Sequence, residues 1–174
     1  MFFGTIIKKN LFCYCHQRLF EYNIAYKLHK HKLVKVSVTM VDETSLPGGS
    51  ETILIVDDHE TIWDFLIDAL QRLGYSVLLA ENGLDAVEIY ESNPDQIDLV
   101  LLDMIMPQAG GHQTFFRLKA INPDVKVLLS SGFVSEEEVN DLLQQGACGF
   151  LPKPHRLPVV VKEIRRVLDG SDNV

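Results

Sequence analysis

Cysteine is scarce in this sequence: Cys13, Cys15 and Cys148 are the only three in 174 residues. An odd, low count excludes a disulfide framework and fits a reducing compartment. Long apolar runs are missing too, and none approaches the ~20 residues that a membrane helix requires. The opening Phe2 to Ile7 is apolar, but Lys8 and Lys9 follow it rather than precede it. No small-residue cleavage site comes after, so the stretch does not read as a signal peptide. We therefore expect a soluble, cytoplasmic chain with no transmembrane segment. Positive charge is in short supply, and the formal net charge of -8 argues against a nucleic-acid-binding role for the chain as a whole. Internal repeats and low-complexity segments are also absent.

The charge that is present is unevenly placed. Residues 1–40 hold seven Lys or Arg against one acid, Glu21, while the remaining 134 residues are strongly acidic. The sign changes beside a stretch rich in acids, Ser, Pro and Gly, Asp42 to Glu51 (DETSLPGGSE). Such composition predicts a linker over 42–51. It separates a basic, aromatic extension over 1–41, expected to be poorly ordered or spurious, from a domain over 52–170 with a short tail at 171–174. Within the extension, Cys13-x-Cys15-His16 lacks a second ligand pair for a metal. The cluster of Lys27, His29, Lys30, His31, Lys32 and Lys35 with Phe20, Tyr22 and Tyr26 is a weak signal for an anionic surface.

The domain has a regular pattern. Thr52 to Val56 (TILIV) is short, apolar and β-branched, as a strand buried on both faces should be. Ile62, Phe65, Leu66, Ala69, Leu70 and Leu73 recur at helical spacing, with Gly74 placed to end the helix. Further strands are predicted at Ser76 to Ala80, Asp98 to Leu102, Val125 to Ser130 and Cys148 to Leu151. Helices are predicted from Asn82-Gly83 to Ser92, over Gln113 to Ile121, over Ser135 to Gln145, and over Leu157 to Leu168. Ser135 and Glu138 have the spacing of a capping box, and Pro158 is tolerated in a first turn. Five strands alternating with five helices predict an α/β, doubly wound parallel sheet with helices on both faces.

In such a sheet, whatever follows each strand lies along one edge. That edge collects Asp57 and Asp58 after the first strand, Asp103 after the third, Ser131 after the fourth and Lys153 after the fifth. Each residue alone is unremarkable, because Asp and Ser often only cap the next helix. Together they form a chemistry. Three carboxylates call for a cation, and hard oxygen ligands suit Mg²⁺. With that metal and a Lys to offset charge, a carboxylate can act as nucleophile toward phosphorus. The Ser131 hydroxyl and the Lys153 ammonium can stabilise the phosphoryl oxygens.

At these residues the chain resembles the receiver domain of bacterial response regulators. Val56-Asp57-Asp58 resembles the family's acidic pair, and Leu102-Asp103-Met104-Ile105-Met106-Pro107 its phosphoacceptor motif, with Gly111 the downstream Gly. Ser130-Ser131-Gly132 resembles the Ser/Thr switch motif, and Phe150-Leu151-Pro152-Lys153-Pro154 the closing motif, in which the Lys-Pro bond is typically cis. The resemblance covers about residues 51–170. It implies a flavodoxin-like strand order 2-1-3-4-5, the order for which the family's own members serve as examples. It implies Asp103 as phosphoacceptor, Asp57, Asp58 and Asp103 as Mg²⁺ ligands, and Lys153 as partner of the phosphoryl oxygens. It also implies a switch in which Ser131 moves and Phe150 swings inward, although a plain core aromatic would look the same in sequence. Three residues depart from the usual pattern: His155 for a Phe after Lys-Pro, Ala109 for a larger apolar residue, and His59 for an acid.

The resemblance further implies a donor that is a histidine kinase or a histidine phosphotransfer protein, and a downstream protein target. No DNA-binding output domain follows the fifth helix, so the signal is expected to leave by protein contact, from a stand-alone regulator or a hybrid-kinase module. A homodimer is left open. The domain is expected to catalyse only its own phosphorylation and dephosphorylation. Rival readings fit less well. A haloacid-dehalogenase-type phosphatase needs an acid two residues after its Asp nucleophile, where this chain has Ile105. A flavodoxin-like FMN protein needs a phosphate loop where Asp57-Asp58-His59-Glu60 would repel phosphate. A receiver-like module that binds without being phosphorylated is the third alternative. Finally, Ile105 and Phe133 lie two residues after Asp103 and Ser131. By resemblance they flank the hydrolytic water, and as apolar residues they predict a long-lived phosphoryl group.

Overall fold

The structure is a computed structural model. It describes residues 25–29, 32–36, 46–107, 109–132 and 134–170, with the backbone alone for the first two stretches and for 60–65. The chain divides into two units, residues 1–45 and 46–174. In the first, β1 (Ala25–His29) pairs antiparallel with β2 (Lys32–Val36), from Ala25 opposite Val36 to His29 opposite Lys32. No element was expected there. Cys13, Cys15 and His16 lie outside the described residues, as does Phe133.

The second unit alternates strand and helix: β3 (Thr52–Val56), α1 (Glu60–Arg72), β4 (Ser76–Ala80), α2 (Gly83–Ser92), β5 (Leu99–Asp103) and α3 (Gly111–Ile121). It continues with β6 (Val127–Ser131), α4 (Glu136–Gln144), β7 (Gly149–Pro152) and α5 (Leu157–Asp169). All strand pairs are parallel and the sheet order is β4-β3-β5-β6-β7. Counted within the unit this is 2-1-3-4-5, the expected order. Among the described residues, no helix is long and apolar enough to cross a membrane.

The sheet separates two cores because successive side chains along a strand point to opposite faces. Ile53, Ile55, Leu99, Leu101, Leu128 and Leu151 pack with Leu66 and Leu70 of α1 and Val160, Val161 and Ile164 of α5. Leu54, Val56, Val100, Leu102, Val127 and Leu129 pack with Ala86 and Tyr90 of α2, Phe115 and Leu118 of α3, and Leu142 of α4. β5 and β6 are buried at all five positions, which is why they read as continuous apolar runs rather than alternating ones. Each fully buried Leu or Phe contributes about 1.5–3 kcal/mol relative to exposure.

Helix ends follow local chemistry. Asn82 Oδ1 accepts from the Leu84 and Asp85 N–H groups at 2.9 and 3.0 Å, opening α2. Ser135 Oγ accepts from the Glu138 N–H at 3.2 Å, opening α4 as the capping spacing suggested. Gly74, at φ 98°, turns the chain out of α1 in a conformation that a side chain would strain. Three strands begin later than expected: β7 runs over Gly149–Pro152 rather than Cys148 to Leu151, and the other two shifts have a visible local cause. Asp98 precedes β5 rather than starting it, and its carboxylate accepts from the Thr52 N–H at 2.8 Å. Val125 belongs to the turn after α3, where its N–H donates to Asn122 O, so β6 starts later and takes in Ser131. Both shifts push the strand register toward the same edge and make Asp103 and Ser131 the last residues of their strands.

Candidate functional site

The parallel ladder carries the candidate site residues to one edge. Asp57 follows β3 and its N–H still donates to Ala80 O at 3.2 Å. Asp103 ends β5 opposite Ser130 of β6, and Ser131 ends β6 opposite Pro152 of β7. The Lys153 N–H donates to Ser131 O at 2.8 Å, which fixes the point at which the lysine leaves β7. The Lys153-Pro154 peptide is cis.

Lys153 Nζ donates to Asp57 Oδ2 at 2.5 Å and to Asp103 Oδ2 at 2.7 Å. Both carboxylates are buried, Asp103 to 3 % exposure. Burial alone would lower the Lys153 ammonium, but its hydrogen bonds to Asp103 and Asp57 outweigh that and hold it above its ordinary value. The second oxygen of Asp103 accepts from the Ile105 N–H at 3.1 Å, and that of Asp57 accepts from the His59 N–H at the same distance. Backbone and lysine thus hold both carboxylates in place.

Asp58 completes the acidic group. Its Oδ1 is buried and has no hydrogen-bond donor, although His59 Nδ1 lies 2.9 Å away without the alignment of a hydrogen bond. One ligand atom from each of Asp57, Asp58, His59 and Asp103 falls within 4.8 Å of the others. A buried acceptor with no donor beside two fixed carboxylates is a donor set that a hard divalent cation fits.

All five residues of the expected constellation therefore stand at one edge: Asp57, Asp58 and Asp103 with Lys153 among them, and Ser131 buried on the adjoining strand end. Phe150 lies opposite Leu129 in β7 and is only partly buried against the core on the α2–α4 side. Ile105 is 52 % exposed beside Asp103. Ala109, the small departure, is buried, and its carbonyl approaches Gly83 at the start of α2.

Two residues carry more than the sequence reading gave them. His155 Nε2 lies 2.8 Å from Ser130 Oγ, and a small cavity beside them is also lined by Asp57, Asp103 and apolar walls from Ile55, Leu66 and Leu101. Burial first, and then the Lys153 charge, holds His155 below its ordinary value. The available signal was a second hydroxyl, Ser130, directly before Ser131 in a strand that is otherwise apolar, together with a His where an aromatic is usual. His59 was noted only as a departure, yet its ring joins the acidic group.

Comparison with known proteins agrees with this geometry. Residues 53–165 match the response regulator receiver domain family. The chain is 27% identical over 182 residues to the sensor kinase CckA of Brucella abortus (strain 2308), an alignment taking in 99% of this chain but 19% of the kinase. It is 31% identical over 120 residues to the chemotaxis protein CheY of Halobacterium salinarum, covering 68% of this chain and 98% of CheY. Among solved structures, the CheX-CheY-BeF3-Mg+2 complex of Borrelia burgdorferi superposes with a TM-score of 0.65 at 28% identity, over 72% of this chain and 92% of that one. With family, fold and edge residues in accord, the chain belongs to the response regulator receiver domain family of two-component systems.

Proposed function

We propose that this chain is a phosphoryl-accepting receiver in which Mg²⁺-dependent phosphorylation of Asp103 switches a protein-binding surface. The donor is a histidine kinase or a histidine phosphotransfer protein. The observation that carries this reading is the position of Asp103, buried at the end of β5, with one oxygen on Lys153 and the other on the Ile105 N–H. Both oxygens are oriented before any phosphoryl group arrives, so little reorganisation accompanies attack.

In the transfer, an Asp103 oxygen forms a bond to phosphorus as the phosphorus–nitrogen bond of the donor histidine breaks. The released imidazole keeps the electron pair. Lys153 is placed to follow the phosphoryl oxygens once Asp103 is esterified, and Asp57 keeps that ammonium at the site. Asp57, Asp58 and Asp103 would hold Mg²⁺, whose charge offsets the repulsion between the carboxylates and the incoming oxygens. The Borrelia relative, solved with BeF3 and Mg+2, supports carrying that metal to this acidic group. Ser131 then contacts the phosphoryl group, and Phe150, only partly buried, turns inward to change the surface that the target reads.

The CckA alignment favours a second, compatible reading of the setting. Because it takes in 99% of this chain, the receiver and its preceding segment together resemble a hybrid-kinase module. The test of the main reading is to incubate the chain and Asp103→Asn with acetyl phosphate and Mg²⁺, then weigh both intact. One acid-labile phosphoryl group on the parent and none on the variant is expected. Equal labelling of the two would remove Asp103 as acceptor.

A further inference from the structure

We infer that His59 is a fourth protein ligand of the acidic site and biases it toward a first-row transition ion, with Mn²⁺ as the probe, over Mg²⁺. The inference rests on the metal-site reading above and concerns which ion that site prefers.

His59 occupies the N-cap of α1, with extended φ and ψ of -103° and 96°, and its side chain makes no capping hydrogen bond. A cap residue normally spends its side chain on the first helical N–H groups. Here the ring is spent on the acids instead: Nδ1 lies 2.9 Å from Asp58 Oδ1 and 3.5 Å from Asp57 Oδ1. Neighbouring ligands around a six-coordinate ion with bonds of about 2.1 Å stand roughly 3 Å apart, and opposite ones roughly 4.2 Å. The spacings of His59 from its two acidic neighbours match adjacent ligand positions, while the group of four spans up to 4.8 Å and would draw in by about half an ångström around an ion. The ring is 60% exposed, so it can adjust toward an ion without disturbing the core.

The second observation is the buried Asp58 Oδ1, which has no hydrogen-bond donor although the imidazole stands next to it. An ion between ring and carboxylate would satisfy that oxygen. Ligand type then sets the preference. Three carboxylates alone suit Mg²⁺, whereas adding a neutral imidazole nitrogen favours ions higher in the Irving–Williams order, and Mg²⁺ accepts nitrogen poorly.

The experiment uses the full chain at mildly alkaline pH. Mg²⁺ and Mn²⁺ affinities are measured by calorimetry for the parent, His59→Ala, His59→Gln and Asp58→Ala. The Mn²⁺-loaded proteins are then examined by electron spin echo envelope modulation for a coordinated nitrogen. A nitrogen signal is expected in the parent and in neither His59 variant. The ratio of Mn²⁺ to Mg²⁺ affinity should fall about tenfold on loss of the ring. Asp58→Ala should lose the nitrogen signal as well, since it dismantles the same site. An unchanged affinity ratio in His59→Ala, or bound Mn²⁺ without nitrogen in the parent, overturns the role of His59 while leaving the acidic site standing. A nitrogen signal that survives in Asp58→Ala puts the ion elsewhere and also overturns it. If neither ion binds the parent, the metal-site reading itself fails.

Discussion

His155 Nε2 stands 2.8 Å from Ser130 Oγ, and Ser130 is the direct register partner of Asp103. A residue two places beyond Lys153 is thereby tied to the strand next to Asp103. The pair sits at the wall of the cavity that Asp57 and Asp103 also line. Where an aromatic would only fill this space, an imidazole adds a hydrogen bond and leaves a buried Nδ1 without a partner.

That arrangement predicts an acid-sensitive fold. Burial, then the Lys153 charge, holds His155 below its ordinary value in the folded chain, while the unfolded chain protonates normally. The folded state thus binds fewer protons, and stability falls as pH drops below the ordinary histidine range, by at most about 1.4 kcal/mol per unit from this group. Urea unfolding of the parent and His155→Phe across mildly acidic pH measures it. The variant should show the shallower dependence, and parallel curves would refute the assignment.

Gly111 and Gly110 are adjacent but not equivalent. A Cβ on Gly111 would meet Asp103 O at 2.4 Å and the Met104 Cα at 2.5 Å, both backbone atoms, whereas a Cβ on Gly110 meets nothing within 4 Å. Gly111→Ala should cost about 1–3 kcal/mol and slow phosphorylation by displacing the acceptor strand end. Gly110→Ala should be nearly neutral. Chemical denaturation with acetyl-phosphate labelling compares them, and equal losses would show that backbone crowding is not the cause.

Ile105 is half-exposed two residues past Asp103, the proposed acceptor, with its N–H on Asp103 Oδ1. Its side chain can neither hydrogen-bond nor align a hydrolytic water. Phe133, the second residue of this proposal, lies outside the described residues. We expect a phosphoryl group on Asp103 that is lost about tenfold faster in the double variant Ile105→Asn, Phe133→Glu, which offers polar groups to that water. Label loss after donor removal gives the rate, and an unchanged or slower rate defeats the idea.

The domain's starting point is testable by truncation. Arg165 binds Glu51 at 2.8 Å and also Asp169 at 2.5 Å, while the Gly49 N–H donates to Leu73 O at 3.1 Å. Burial opposes it, yet the Arg165 guanidinium still holds Glu51 below the ordinary carboxylate range. A chain starting at Met40 keeps these contacts and should fold and accept phosphate like the parent. One starting at Thr52 should lose about 1–3 kcal/mol, because Arg165 loses a charged partner. Thermal melts of both decide it. Failure of the Met40 chain to fold would make the basic extension part of the domain.

The strand and helix order was determined locally, and so was legible in the sequence. β-branched runs such as Thr52–Val56, the helical spacing from Leu66 to Leu70, and Gly74 at a helix end need only neighbours in the chain to act. Parallel topology followed from that alternation, and with it the gathering of Asp57, Asp58, Asp103, Ser131 and Lys153 at one edge. Tertiary structure decided what depends on distance between strands. Lys153 reaches two carboxylates from residues 96 and 50 positions away, and no spacing rule encodes which oxygens it takes. His155 and Ser130, 25 positions apart, meet only because β6 and β7 pair in one register. His59 looked like a plain departure because a cap residue and a metal ligand read alike in sequence. Only the fold shows that its ring faces the acids rather than its own helix.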